Sequence, residues 1–243
     1  MKIKGAGMVS GSLVFCERCV SVSFWNCILD LLFPPKCPFC GRVVEKAGIC
    51  TACKKALSRT EGKEILRDLP GGTVCAAPLW YEGVVRDGIL RLKFGGSVGG
   101  TNVLGGLIAQ CAAEELGGRF DTVTWVPVSK KRLRRRGYDQ AELLARAACR
   151  CWDTKPVQLL RKTVDNPAQS GLTEPAARRA NVLGVYDPVE ASLVTGRSIL
   201  LIDDVCTTGA TLAECARVLR DAGAASVVCA ALAHTRVKKE FTK

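Results

Sequence analysis

The chain has 243 residues, of which 48% are hydrophobic and 24% are charged, and its formal net charge at pH 7 is +12. This composition is typical of a soluble globular protein with a buried core, and the positive charge favours a polyanionic partner such as nucleic acid or a phosphate-rich ligand. No apolar run of about 18 residues occurs, which argues against a membrane span. No small-residue cleavage site closes the apolar stretch 7–33, so we predict no signal peptide and a cytoplasmic location.

The chain contains 14 cysteines. A disulfide framework with that many cysteines would be expected in a smaller protein with regular spacings. Four of the cysteines stand where Ala or Val would fit on apolar faces: Cys111, Cys149, Cys215 and Cys229. We predict that these are small buried hydrophobic residues in a reducing compartment.

Changes in composition divide the chain into five segments. Residues 1–33 form an N-terminal extension, residues 34–57 carry paired cysteines, and the polar residues 58–73 with their Gly-Gly break predict a linker. Residues 74–237 alternate between strand-like and helix-like patterns, and residues 238–243 form a tail. The alternation predicts an α/β domain.

Two Cys-x2-Cys pairs lie in the second segment, nine residues apart: Cys37, Cys40, Cys50 and Cys53. Four thiolates at this spacing can close a tetrahedral zinc site, and the metal would replace a hydrophobic core in so small a module. The alternative is a pair of redox-active or incidental sites. We favour structural Zn²⁺, and we interpret the third pair, Cys16 and Cys19, as incidental.

The domain from residue 74 onward shows six regular patterns in chain order. They are a helix over 104–116, a strand over 121–128, a helix over 139–149, a strand over 197–205, a helix over 211–223 and a strand over 226–233. Asp139 and Glu142 stand at capping-box spacing at the start of the second helix. This order predicts βαβ units and therefore a mostly parallel sheet.

The sequence ILLIDDVCTTGATL, residues 199–212, combines features that suit a sugar phosphate. Asp203 and Asp204 follow four aliphatic residues, so they lie at the carboxyl edge of the sheet, where open α/β folds bind ligands. Paired carboxylates suit the hydroxyls of a ribose. The next residues lead into a helix whose first N–H groups suit a phosphate, and they are Thr207, Thr208, Gly209, Ala210 and Thr211.

Two other interpretations of this stretch are weaker. A chance acidic turn would explain each feature singly, but not the whole combination. A Walker B strand would need a G-x-x-x-x-G-K-[ST] loop, and the chain contains none.

The sequence KKRLRRR follows the predicted strand 121–128 and places six cations at the same edge of the sheet: Lys130, Lys131, Arg132, Arg134, Arg135 and Arg136. They could neutralise a pyrophosphate or follow a nucleic-acid backbone. A solvated loop without a partner is the third alternative.

The stretch LLIDDVCTTGAT resembles the phosphoribosyl pyrophosphate (PRPP) signature of type I phosphoribosyltransferases, and the chain as a whole resembles the competence protein F (ComF) family. The stretches that carry the resemblance cover most of residues 34–236 and include PPKCPFCG, GICTAC, YEGVVRDGILRLKFGG, VPVSKKRLRRRGYDQAELLA and ALAHTR. Tyr138-Asp139 departs from the usual Phe-Asn.

The resemblance implies a type I phosphoribosyltransferase fold with a small N-terminal four-Cys zinc module. It implies that Asp203 and Asp204 bind ribose hydroxyls, that residues 207–211 bind the 5-phosphate, and that Mg²⁺ bridges the pyrophosphate and the ribose. It also implies a helper role in the uptake or processing of single-stranded DNA, with DNA-uptake proteins as partners.

Two hypotheses of different class stay open at this point. One is a binding module in which PRPP regulates a DNA-handling surface. The other is an active phosphoribosyltransferase of unknown acceptor in nucleotide or sugar-phosphate salvage, for which no catalytic residue can be assigned.

A few remaining residues carry weaker expectations. His234 is the only histidine, and we expect it to be structural. Cys206 precedes a helix N-terminus, which could acidify its thiol. Polar residues of the segment 161–181 have no assigned role: Arg161, Gln169, Arg178, Arg179 and Asn181.

Overall fold

The computed structural model describes residues 34–96, 98–165 and 183–236. The N-terminal extension with Cys16 and Cys19, and the tail, lie outside the described residues. So do four residues of the polar segment: Gln169, Arg178, Arg179 and Asn181.

A six-stranded sheet forms the centre of the described part. Its order is β1 (Leu66–Leu69), β2 (Thr73–Ala76), β8 (Ser226–His234), β7 (Ser198–Cys206) and β4 (Thr122–Trp125), and β3 (Leu79–Trp80) also pairs with β8. Every pairing is parallel except that of β1 with β2. The expected mostly parallel α/β sheet is therefore confirmed.

Helices cover both faces of this sheet. The α-helices of the described part are α1 (Thr51–Ala56), α2 (Gly83–Phe94), α3 (Thr101–Leu116), α4 (Lys130–Arg136), α5 (Gln140–Cys151) and α6 (Ala210–Asp221). Leu200 and Ile202 of β7 belong to one buried cluster with α2, α3 and α5, whereas Ile199 and Leu201 belong to a second cluster with α6. This alternation is the period of two that a central strand buried on both faces requires.

The start of α5 shows how its local sequence determines the helix. The Asp139 carboxylate accepts hydrogen bonds from the N–H groups of Ala141 at 3.0 Å and Glu142 at 3.3 Å. Glu142 does not complete a reciprocal capping box, because its carboxylate pairs with Arg146 at 2.7 Å. One half of the expected box is therefore sufficient to begin this helix.

Residues 58–73, the expected linker, are part of the fold. They contain the edge strand β1, whose Leu69 is buried, and the Thr60 hydroxyl donates to the Ala77 carbonyl at 2.6 Å. A short edge strand needs few buried side chains, so its composition resembles that of a linker.

A separate two-stranded antiparallel sheet consists of β5 (Leu160–Lys162) and β6 (Tyr186–Pro188). Leu160 and Tyr186 are buried in the cluster that α6 shares. In the described part of the chain, we find no helix with the length and apolar character that crossing a bilayer requires.

Candidate functional site at the carboxyl edge of the sheet

Strand β7 carries both aspartates to the carboxyl edge of the sheet. Asp204 is 8% exposed, and its carboxylate lies 2.9 Å from the Lys93 ammonium of α2. Because neighbouring strand residues face opposite sides, Asp203 faces the side of α6, and its carboxylate accepts a hydrogen bond from the Asp204 N–H at 2.8 Å. The two carboxylates therefore stand on either side of the strand end.

The electrostatic environment of the two aspartates differs. Burial raises the pKa of Asp203 well above its usual range, and the nearby Asp204 carboxylate raises it further. Burial alone would lower the pKa of Lys93, but the attraction of Asp204 outweighs that effect and raises it. The ammonium of Lys93 thus stays charged beside Asp204.

The loop after β7 has the conformation expected of an anion-binding turn. Gly209 adopts a left-handed conformation with φ of 75° and precedes the first residue of α6. The Ala210 N–H points back to the Thr208 hydroxyl at 3.4 Å. The backbone conformation favours glycine here, and a β-carbon on Gly209 would also lie only 2.4 Å from Leu69 Cδ2, so that this side chain would have to move.

The basic run forms helix α4 rather than an irregular loop. The Ser129 hydroxyl accepts from the Arg132 N–H at 3.3 Å, and Gly137 ends the helix with φ of 80°. Four of the six cations are exposed and two are half-buried. The exposed ones are Lys130, Lys131, Arg134 and Arg135, and the half-buried ones are Arg132 and Arg136.

Arg136, the last residue of α4, is half-buried and interacts electrostatically with Asp204. Its guanidinium carbon lies 5.0 Å above the Phe94 ring, and its Nη1 donates to the Gln140 side chain at 2.8 Å. Burial and the neighbouring Arg132 lower its pKa, while Asp204 opposes them. Arg136 Nε and Gln140 Nε2 are buried and have no hydrogen-bond partner.

Further charged side chains surround the Asp203 side of the site. Burial lowers the pKa of Lys162, with Arg132 adding to the effect and Asp203 opposing it. Asp165 accepts a short hydrogen bond from the Ser129 hydroxyl and lies 3.8 Å from the Lys131 ammonium. Arg161 does not take part in this group, because it pairs with Asp187 at 3.7 Å.

Arg67 connects the predicted linker to the site. Its guanidinium donates to the carbonyls of Cys206 at 3.3 Å and Thr207 at 2.7 Å, and also to the Thr235 carbonyl. Neither Arg67 nor Lys93 is predicted as a site residue from the sequence. Lys93 does lie within the stretch YEGVVRDGILRLKFGG that carries the ComF resemblance.

The four cysteines of the two pairs come together as expected. Their sulfurs all lie within 4.8 Å of one another, and those of Cys40 and Cys50 are 3.7 Å apart. Zinc–sulfur bonds of about 2.3 Å in a tetrahedron place neighbouring sulfurs about 3.8 Å apart, whereas a disulfide needs about 2.05 Å. The cluster therefore has the dimensions of a zinc site.

The four cysteines expected to be small buried hydrophobic residues are buried. Cys149, Cys215 and Cys229 are fully buried and Cys111 is 6% exposed. Cys206 is also buried, and its thiol pKa is lowered to about 5, chiefly by a hydrogen bond with the Cys75 side chain, against the effect of burial and with help from His234. Neighbouring side chains therefore contribute to this acidity.

Comparison with known proteins adds to this geometry. Residues 133–243 match the phosphoribosyl transferase domain, and residues 28–65 match the double zinc ribbon domain. The competence protein ComFC of Bacillus subtilis (strain 168) is 28% identical over 79% of this chain and 74% of its own length. The expected resemblance to the ComF family is confirmed.

Two further relatives agree with this result. The competence protein ComFC of Streptococcus pneumoniae is 30% identical over 60% of this chain and 62% of its own length. The DNA utilization protein YhgH of Escherichia coli (strain K12) is 34% identical, and the match covers 44% of this chain and 46% of the length of YhgH. The ComF-like chain thus combines a phosphoribosyltransferase-like fold with an N-terminal four-Cys cluster that supports structural Zn²⁺.

Proposed function

We propose that this ComF-like protein binds PRPP with Mg²⁺ at the carboxyl edge of the sheet and acts as a helper in the uptake or processing of single-stranded DNA in the cytoplasm. The observation that carries the PRPP proposal is the placement of Asp203 and Asp204 directly before the left-handed turn at Gly209. The carboxylates suit ribose hydroxyls, and the first turn of α6 suits the 5-phosphate. The proposed phosphate residues are Thr207, Thr208, Gly209, Ala210 and Thr211.

The cations around the aspartates support an anionic ligand. The unpartnered donors Arg136 Nε and Gln140 Nε2 are buried next to the site, and buried donors without partners are rare in proteins. A pyrophosphate oxygen would satisfy them. The site's oxygen donors are compatible with Mg²⁺, which would be held by the ligand's pyrophosphate and ribose oxygens and would neutralise their charge.

The pairing of Lys93 with Asp204 has a consequence for ligand binding. The ammonium compensates the carboxylate in the ligand-free site, so that an acidic group can remain buried without a metal. When a ribose arrives, Asp204 can accept its hydroxyl while Lys93 stays near enough to attract the phosphates. Lys93 is therefore part of the proposed binding site.

Calorimetric titration with PRPP and Mg²⁺ tests this site. We expect saturable binding by the wild type and a loss of at least about 10-fold in affinity for Asp203→Asn/Asp204→Asn, since hydrogen bonds to charged groups contribute about 1.5–3 kcal/mol each. Asp87→Asn is the matched control, because Asp87 is exposed on α2 and pairs only loosely with Arg86 at 3.9 Å. Equal binding by the double variant and the control would contradict the proposal.

The DNA-handling part of the proposal depends on the outward side of α4. Lys130, Lys131, Arg134 and Arg135 are exposed beside the proposed PRPP site. Single-stranded DNA attracts such a group through its phosphates, and the binding weakens steeply with salt. The names of the relatives, competence and DNA utilization proteins, support the same role.

One double and one single variant separate the two ligands. For Arg134→Ala/Arg135→Ala we expect weaker binding of single-stranded DNA, with the slope of log K against log salt reduced by about 1.4, and unchanged PRPP affinity. For Arg136→Ala we expect weaker PRPP binding, because the variant removes a buried donor without a partner and a positive charge that interacts with Asp204. Fluorescence anisotropy at several salt concentrations measures the DNA affinity, and an unchanged slope would contradict the DNA proposal.

An active phosphoribosyltransferase in nucleotide or sugar-phosphate salvage is the second candidate. The half-buried Arg136 and the Lys93 that pairs with Asp204 favour this candidate, because their positive charges would neutralise a departing pyrophosphate. Release of pyrophosphate from PRPP with a screened set of amine and base acceptors would support this candidate. PRPP binding without such release would support the binding module.

A further inference from the structure

A second cluster of metal-ligating side chains lies outside the zinc ribbon, by which we mean the segment that carries Cys37, Cys40, Cys50 and Cys53. Cys75 of β2, Cys206 of β7 and His234 of β8 are 0%, 1% and 0% exposed. One ligand atom of each lies within 4.8 Å of those of the other two. Three different strands of the central sheet thus bring two sulfurs and one imidazole together in the interior.

The hydrogen bonds of His234 leave one ring nitrogen available. Nε2 lies 3.1 Å from the Ile65 carbonyl, which can only accept, so Nε2 carries the proton. Nδ1 is then the lone-pair nitrogen, and it is buried without any partner. A ligating histidine in proteins usually donates its other N–H to a carbonyl or carboxylate in this way.

From this arrangement we infer that Cys75, Cys206 and His234 form a second Zn²⁺ site, with one solvent molecule as the fourth ligand. Two thiolates and one neutral imidazole are a known zinc ligand set, and the two negative charges balance the ion in the buried site. Neighbouring ligands of a tetrahedral zinc are about 3.5–3.8 Å apart, so the present spacing, within 4.8 Å, needs a contraction of about 1.3 Å at most. A disulfide between the two cysteines would leave Nδ1 unsatisfied.

The position of this site gives it a structural consequence. Cys206 immediately precedes Thr207, and the Thr235 N–H, next to His234, donates to the Cys206 carbonyl at 3.1 Å. A metal there would tie β2, β7 and β8 together just before the loop 207–211. The inference is independent of what that loop binds.

Elemental analysis of the full chain, equilibrated with zinc and freed of loosely bound metal, tests the site. We expect Cys206→Ala and His234→Gln each to contain one zinc ion fewer per chain than the wild type. Cys229→Ala is the matched control, since Cys229 is an equally buried cysteine of β8 outside the cluster, and it should keep the wild-type content. The ribbon keeps its zinc in all four proteins.

A second measurement on the wild type alone covers the case in which the variants do not fold. Titration of the metal-free protein with Co²⁺ should give thiolate-to-cobalt absorption in two separate steps. The step with the smaller absorbance change should come from the site with two thiolates. Equal zinc content in wild type and Cys206→Ala, a single cobalt step, or a Cys75–Cys206 disulfide found by non-reducing mass spectrometry would each overturn the inference.

Discussion

Arg67 shows how one side chain can organise the proposed binding site. Its guanidinium donates to carbonyls of Cys206, Thr207 and Thr235, which lie at or directly after the ends of the neighbouring strands β7 and β8. The planar group can satisfy several acceptors at once, which an ammonium cannot do in the same geometry. Arg67 therefore fixes the backbone of the loop whose N–H groups we propose to face the phosphate.

Substitution of Arg67 should change ligand binding without touching the ligand. We expect Arg67→Ala to lower the free energy of unfolding by about 2–3 kcal/mol, because it removes the charged donor of three carbonyls, and to weaken PRPP binding. Arg67→Lys should be intermediate in both. Arg86→Ala, at an exposed position of α2, is the control. Thermal unfolding and calorimetry measure the two effects, and wild-type PRPP affinity in Arg67→Ala would refute the positioning role.

The same residue marks the limit of prediction from the sequence. The acids and the glycine-containing turn lie within a few positions of one another, so their spacing reveals the site. Arg67 and Cys206 are 139 positions apart, and the sequence near Arg67 gives no sign of the contact. Lys93 contacts Asp204 from a helix that is also far away in the sequence.

Helices α3 and α5 pack closely because of one glycine at their contact. A β-carbon on Gly105 would lie 2.3 Å from Ala147 Cβ and 2.9 Å from both the Ala148 nitrogen and the Leu144 carbonyl oxygen. Two of these atoms are backbone, so they cannot move without shifting α5. At the adjacent position, Gly106, a β-carbon would meet nothing within 4 Å.

The two glycines offer a matched pair of substitutions within one helix. Gly105→Ala should lower the free energy of unfolding by about 1–3 kcal/mol, since overpacking outweighs the better helix propensity of alanine. Gly106→Ala should raise it by up to about 1 kcal/mol, because only the propensity changes. Urea unfolding followed by circular dichroism measures both values, and stability changes of the same sign would contradict this account of the helix contact.

Elements with strong periodicity were predictable, and short ones were not. The helices α3, α5 and α6 and the strands β4, β7 and β8 all occur close to their expected bounds, because each has a clear apolar pattern and a recognisable start or stop. The two-residue β3 and the edge strand β1 have no comparable pattern. The strand β3 pairs with β8, which lies far away in the sequence. The strand β1 pairs with β2, which follows it directly.

At the scale of the whole molecule, the zinc ribbon and the α/β domain share one core. Cys37, Phe39 and Cys53 belong to the same buried cluster as Ile89 and Leu92 of α2. A β-carbon on Gly88 of α2 would lie 2.7 Å from Phe39 Cδ1 and 2.9 Å from Phe39 Cα. The ribbon therefore packs directly on the backbone of α2, whose Lys93 holds Asp204 at the other end of the helix.

This shared core predicts that a change in α2 will affect the zinc in the ribbon. Gly88→Ala should push Phe39 away and lower the free energy of unfolding by about 1–3 kcal/mol, although alanine is the better helix former. It should also speed the transfer of ribbon zinc to a chromogenic chelator, because the packed side of the cluster becomes accessible. Asp87→Ala, at the exposed neighbouring position, should change neither quantity by much. Zinc release from Gly88→Ala at the wild-type rate would contradict this prediction. The ribbon would then hold its metal without support from the domain, and the two parts would be energetically separate despite their contact.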